Sequence, residues 1–258
     1  MQYIESMLDA EGIQTLTLNR PDKLNALNAE VLNQLEQALL DAKTNPNVRG
    51  LLLTGTGKAF CAGADIPQLL ECNPHSGYEF ACRGQNIFRL FETLGKPSLA
   101  AINGFAFGGG CELAISATLR IASSNAQFGQ PEVKLGVIPG FGGTQRLARL
   151  VGKGRALDLC LTGRFISADT AKDWGLVMDV VPADSLLEHS QTVLKQILSM
   201  GPLAIASTME VIDHGYDMAL PDALHLEAVH FAKVCGSQDK REGVTAFLEK
   251  RSATFKGQ

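Results

Sequence analysis

Two glutamates stand in turns punctuated by glycine and proline. Glu112 closes the stretch Gly108-Gly109-Gly110-Cys111-Glu112, and Glu132 follows Gln130-Pro131. Three consecutive glycines after the apolar run Pro97 to Ile102 mark a bend where no Cβ shields the backbone N–H groups, so a carbonyl oxygen can be received there. A carboxylate just beyond such donors suggests proton chemistry beside a polarised carbonyl. Taken singly, each glutamate also reads as an ordinary first-turn carboxylate, satisfied by a helix dipole or by the turn after Pro131.

Other chemistries fail on spacing. Gly57-Lys58 resembles the tail of a phosphate loop, but Leu52 stands where the first glycine is needed and Ala59 follows the lysine. Gly140-Phe141-Gly142-Gly143 lacks the final glycine spacing of a dinucleotide fingerprint and follows no clear strand. Neither supports a nucleotide cofactor. His225 and His230 lie off one helical face, and no HExxH or Cys/His cluster is present, so no metal site is expected. No GxSxG elbow occurs, and Cys111 reads as small core filler.

These residues need a scaffold, and the hydrophobic pattern sketches one. Tyr3 to Leu18, broken at Glu11-Gly12, predicts a hairpin. Asn28 caps a predicted helix with apolar face Val31, Leu32, Leu35, Ala38 and Leu39, ending near Asn45-Pro46. Val48 to Thr54 and Ser98 to Ile102 predict buried strands, and Cys111 to Ala117 continues from the glycine bend as helix. The alternation predicts a layered α/β core with crossover helices. Beyond Gly143 helix is expected to dominate, interrupted by one strand at Val177 to Val181.

The chain has 258 residues, 45% of them hydrophobic, which suits one large domain or a domain with a helical appendage. A net charge of −4 with scattered Lys and Arg gives no footprint for nucleic acid or an anionic membrane. Six cysteines without a CxxC pair read as reduced thiols. Glu5 and Asp9 replace the basic and then apolar run of a signal peptide, and no apolar stretch is long enough to span a bilayer, so a cytoplasmic protein is expected.

Several segments, in order, resemble the crotonase (enoyl-CoA hydratase/isomerase) superfamily: Phe60-Cys61-Ala62-Gly63-Ala64-Asp65-Ile66, Ala101 through Glu112, Phe128-Gly129-Gln130-Pro131-Glu132, and Ile138 through Leu147. Arg20-Pro21, Asn25-Ala26-Leu27 and the segment Arg241 to Arg251 extend the match over essentially the whole chain. The resemblance implies an α/β fold: a spiral of ββα units in residues 1–195 with a C-terminal helical subdomain in 196–258, assembled as a homotrimer or a dimer of trimers. It implies an acyl-CoA substrate and an enoyl-CoA hydratase, adding water reversibly and syn to a trans-2-enoyl-CoA, with no separate cofactor.

The thioester oxygen would then accept bonds from the backbone of Ala64 and Gly109. Both glutamates would hold the nucleophilic water, Glu112 chiefly as base for attack at C3 and Glu132 as the acid protonating C2, a division of labour the sequence leaves open. Two carboxyls beside one apolar chain should not both ionise freely, so one pKa is expected to rise toward neutrality. By the same resemblance Lys23, Leu24, Ala26, Lys58, Ala62 and Ile66 would contact coenzyme A or the acyl chain, and Gly140 would line the water. Phe231, Phe247 and Lys250 would close over the ligand from a neighbouring subunit. Pro67 to Gly95 resembles the variable acyl-pocket region. The alternatives are Δ3-Δ2-enoyl-CoA isomerisation, which needs a single carboxylate, and a non-enzymatic crotonase-fold protein binding acyl-CoA or RNA.

Overall fold

The structure, a computed structural model, describes residues 3–258. Among these the chain runs through β1 (Ile4–Leu8), β2 (Ile13–Leu18), α1 (Ala29–Thr44), β3 (Gly50–Gly55), β4 (Ala59–Cys61), α2 (Ile66–Leu70) and α3 (Pro74–Glu92). It continues as β5 (Ser98–Ile102), β6 (Phe105–Phe107), α4 (Gly109–Ser116), β7 (Leu119–Ser123), β8 (Gln127–Gly129), α5 (Gly143–Val151), α6 (Lys153–Thr162), β9 (Phe165–Ser167), α7 (Ala168–Asp173) and β10 (Asp179–Val181). The helices α8 (Leu186–Leu198), α9 (Pro202–Gly215), α10 (Leu220–Cys235) and α11 (Gln238–Leu248) complete it.

One sheet has the order β1-β2-β3-β5-β7-β10, the other β4-β6-β8-β9. Only β1 on β2 and β9 on β8 are antiparallel pairs among the described strands. Consecutive strands β3 and β4, β5 and β6, β7 and β8 split between the two sheets, and helix follows each pair. This is the expected spiral of ββα units. Leu51, Leu52 and Leu53 of β3 and every residue of β5 are buried, as strands covered on both faces must be. α1 covers the larger sheet with Val31, Leu32, Leu35 and Leu39, one stripe at helical spacing. Asn28 caps it as expected, its Oδ1 accepting from Val31 N at 2.8 Å.

Two expectations need correction. The region after Gly143 contains a second strand, β9, and β10 begins at Asp179 rather than Val177. Three-residue strands such as β9 show too little of a two-residue period to be read. Leu176 and Val177 are buried in the turn before β10, so their apolar character reflects packing and not strand pairing.

The described chain forms two compact units, one of residues up to 94 with 98–191, the other of 95–97 with 192–258. In the second, α9 and α10 pack on each other. Among the described residues no helix is long and apolar enough to cross a membrane.

Candidate active site

β6 enters α4 through Gly108, whose φ of 51° and ψ of −123° few side chains tolerate. A Cβ there would also stand 2.6 Å from Glu132 Oε1. The glycine therefore allows both the turn and the carboxyl beside it. Every residue of α4 is buried, and Glu112 in its first turn is 2% exposed. Glu112 Oε1 accepts from Phe141 N at 2.8 Å and from Gly143 N at 2.6 Å. Burial is the main force raising its pKa to about 7, assisted by the Glu132 charge and opposed by those two amides and Arg146.

Glu132 arrives from β8 through Pro131 and heads a short 3-10 turn, Glu132–Leu135. Burial raises its pKa to about 7 as well, against the pull of its own backbone N–H. The expectation was one raised carboxyl; both are raised. Desolvation acts on each group separately, so it does not need the partner's charge. Gln130 is wholly buried, and with its amide nitrogen turned toward Glu132 it donates to Oε1 and Oε2 at 3.1 and 3.2 Å.

The Ala64 peptide is bracketed: Leu27 N donates to Gly63 O at 2.8 Å, and Asp65 N donates to Leu27 O at 2.9 Å. That ladder leaves the Ala64 N–H unused. Gly109, first residue of α4, has no helical acceptor for its own. A Cβ on Gly109 would lie 3.4 Å from Ala64 N, and one on Gly63 would lie 3.7 Å from Gly109 N, so the two amides are neighbours. Among the described residues neither donates to a protein acceptor.

Asp65 in turn holds Arg20 at 2.6 Å, and Arg20 Nη1 donates to Ala26 O at 3.1 Å. Leu24 and Asn25 are left-handed, with φ of 50° and 59°, and Asn25 anchors the bend by donating to Thr56 O and Ala59 O. Leu24 O accepts from Ala62 N at 3.0 Å. These bonds join the segment bearing Lys23, Leu24 and Ala26 to Ala62 and Ala64. The turn bearing Lys58 reaches the same segment, since a Cβ on Gly57 would touch Pro21 Cβ at 3.4 Å. Lys23, Leu24, Lys58 and Ile66 are exposed there. Gly140 O accepts from Gln85 Nε2 at 2.8 Å, beside the turn that binds Glu112.

Phe231, Phe247 and Lys250 belong to the other compact unit. The two rings are 72% and 79% exposed, so neither is the helix-core residue that an apolar stripe would make it. Cys111 is buried as read, and burial pushes its thiol well up. Sequence reasoning missed the Phe141 and Gly143 amides, the Gln130 contact and Arg146. The signal for the first was present in Gly142-Gly143, a run that leaves backbone amides uncovered. Among the described residues no three His, Cys, Asp or Glu side chains gather as a metal site.

Strand pairs alternating between two sheets, with helix after each pair, place this fold in the crotonase class. Solved structures agree: the enoyl-CoA hydratase from Bacillus anthracis superposes with a TM-score of 0.96 at 39% identity, covering 100% of both chains. The chain belongs to the enoyl-CoA hydratase/isomerase family, whose profile matches residues 9–258. It is 43% identical over 253 residues to a short-chain-enoyl-CoA hydratase of Clostridium acetobutylicum, covering 97% of each. It is 45% identical over 257 residues to a crotonyl-CoA hydratase of Syntrophomonas wolfei subsp. wolfei, covering 99% of each.

Proposed function

We propose that this protein is an enoyl-CoA hydratase acting on short trans-2-enoyl-CoA thioesters. The observation that carries the reading is a pair of carboxyls, Glu112 buried and Glu132 half-buried, both with pKa pushed up to about 7 by desolvation, in the site that also holds the free amides of Ala64 and Gly109. The two amides receive the thioester oxygen as it gains negative charge, together with the positive end of α4. This lowers the barrier because the bonds strengthen as the enolate forms. Glu112, positioned by two amides, removes a proton from water as it attacks C3. Glu132, carrying the one proton the pair shares, delivers it to C2.

Two carboxyls titrating near neutrality can share one proton, which suits an acid and a base in one step. An isomerase moving a single proton has no need of the second. The relatives named for short-chain and crotonyl substrates support short acyl chains. The exposed Lys23 and Leu24, with Ala26, Lys58, Ala62 and Ile66, are assigned to coenzyme A and the start of the acyl chain, and Gly140 to the attacking water. Phe231, Phe247 and Lys250 are assigned to a neighbouring subunit's ligand in a trimer or pair of trimers, which their exposure supports. No metal or redox cofactor is assigned a role, since amides polarise the carbonyl and carboxyls move the protons.

Loss of the enoyl absorbance of crotonyl-CoA on adding the purified protein tests the assignment. No turnover on any enoyl-CoA from four to sixteen carbons (~C4–C16), alongside turnover of 3-enoyl-CoA, would replace it with isomerase.

A further inference from the structure

The turn that holds Glu112 is itself held from its far side. Gly142 turns the chain at φ +109°, and Arg146 curls back over it from the first turn of α5, so closely that a Cβ on residue 142 would lie 2.2 Å from Arg146 Nη1. That nitrogen donates to Phe141 O at 2.9 Å. Phe141 thus gives its N–H to Glu112 and its carbonyl to Arg146. The guanidinium is aimed by Glu92, the last residue of α3: Nε donates to Glu92 Oε1 at 2.5 Å and Nη2 to Oε2 at 3.1 Å. Two parallel bonds fix a guanidinium plane as one bond does not. The same helix steadies Phe141 with the rings of Phe80 and Phe88, edge-on at 4.9 and 5.4 Å.

A pair joining two helices is ordinarily a modest stabiliser. Here the third contact of the guanidinium is the carbonyl of the residue whose amide binds Glu112. We propose that Arg146, oriented by Glu92, is the positioning residue for Glu112, fixing the 141–143 turn so that its two amides hold one carboxyl oxygen.

Four titratable groups face Glu112: Glu132 from the turn after β8, Arg146 from α5, Cys111 on α4 and Cys160 on α6. Burial holds both thiols neutral near pH 7, leaving Glu132 and Arg146 as the charges that act. Arg146 favours the carboxylate of Glu112. Its loss should raise the pH at which Glu112 ionises.

The test rests on the hydratase reading, with one arm independent of it. In Arg146→Gln and Glu92→Gln, kcat for crotonyl-CoA should fall about 10- to 10²-fold, the cost of a misplaced catalytic group. KM should change by no more than about twofold. The acid limb of kcat/KM should move up by about one pH unit in Arg146→Gln, since an opposite charge is removed. Arg146→Lys keeps the charge and loses the fork, so its limb should stay near wild type while kcat still drops. The independent arm is ¹³C-carboxyl NMR titration of Glu112 in glutamate-labelled protein, assigned by comparison with Glu112→Gln, where Arg146→Gln should shift the Glu112 midpoint upward. Variants that are merely less stable, with wild-type kcat, pH limb and Glu112 midpoint, would overturn the proposal. If wild type hydrates no enoyl-CoA, the functional reading fails, and the Glu112 midpoint alone then decides the positioning role.

Discussion

Gly143 N donates to Glu112 Oε1 at 2.6 Å, joining residues 31 positions apart in the chain. With the Phe141 amide it gives one carboxyl oxygen two donors, an arrangement that favours the ionised form. Burial opposes this and prevails, because the group still titrates at about 7. Glu112 is thus held near neutrality by desolvation, while its position is fixed by the same bonds that keep it from rising further.

That balance has a cost in stability with a definite sign. A carboxyl whose pKa is raised on folding contributes stability below its unfolded value of 4.5 and loses it as pH rises toward about 7. Glutamine mimics the protonated form at every pH and still accepts from both amides. Glu112→Gln should therefore match wild type near pH 4 and become more stable above pH 7, by up to about 3 kcal/mol. For a chain of this size that raises Tm by several degrees, about 2–4 °C per kcal/mol. Calorimetry across pH 4 to 8, within about 0.2 unit at each point, decides it; a constant offset would mean that folding leaves the Glu112 pKa at its unfolded value.

Gly108→Ala tests the close approach of Glu132. The new methyl would stand 2.6 Å from Glu132 Oε1 on a backbone with φ +51°, so the carboxyl must move or the turn must open. We expect kcat to fall by about 10² or more with a smaller change in KM. Backbone strain should lower stability by about 1–2 kcal/mol. A folded variant with normal kcat would show that Glu132 works from elsewhere.

Much of this site was readable from residue types. The triple glycine marked Gly108 and Gly109, and the two glutamates lay in turns flanked by glycine and proline. The hairpin, α1 and the buried strands followed from hydrophobic period. The strands β4, β6, β8 and β9 are three residues long, too short for that period to register. The hidden part of the site is the part made across the chain. Phe141 and Gly143 act through backbone amides; the Gly142-Gly143 run shows that amides are uncovered there, but no residue type shows that Glu112 is what they bind. Glu92 and Arg146 are joined over 54 positions, a distance at which sequence spacing says nothing about contact.

The assigned mechanism draws on no metal ion, so dialysis against EDTA should leave crotonyl-CoA hydration unchanged. Amides polarise the carbonyl and carboxyls carry the protons. Activity lost to chelator and restored by a divalent cation would require a different electrophile.

Phe231 and Phe247 are 72% and 79% exposed, and Lys250 is left-handed at φ 56° just beyond α11. If they complete a neighbour's site, the protein sediments as a trimer or hexamer. Lys250→Ala then raises KM for enoyl-CoA more than it lowers kcat. A fully active monomer in sedimentation velocity would remove this role.

Water addition needs one group to activate the nucleophile and another to supply the proton at C2, whereas isomerisation needs one carboxylate that removes and returns a proton. With both carboxyls raised to about 7, Glu112→Gln and Glu132→Gln each remove one of these functions without removing volume. Each should lower kcat for crotonyl-CoA by roughly 10²–10⁴ with little change in KM. The double variant should lose much less than the product of the two, because groups acting on one water in one step cannot fail independently. The two singles should also differ in pH profile. Glu112→Gln should lose the acid limb, where the base becomes protonated, and Glu132→Gln should lose the alkaline limb, where the acid ionises. Steady-state loss of the enoyl absorbance from pH 5 to 9, in steps of about half a unit, measures all four enzymes. If Glu112→Gln hydrates at the wild-type rate while 3-enoyl-CoA isomerisation depends on Glu132 alone, the protein is an isomerase whose second carboxyl serves structure.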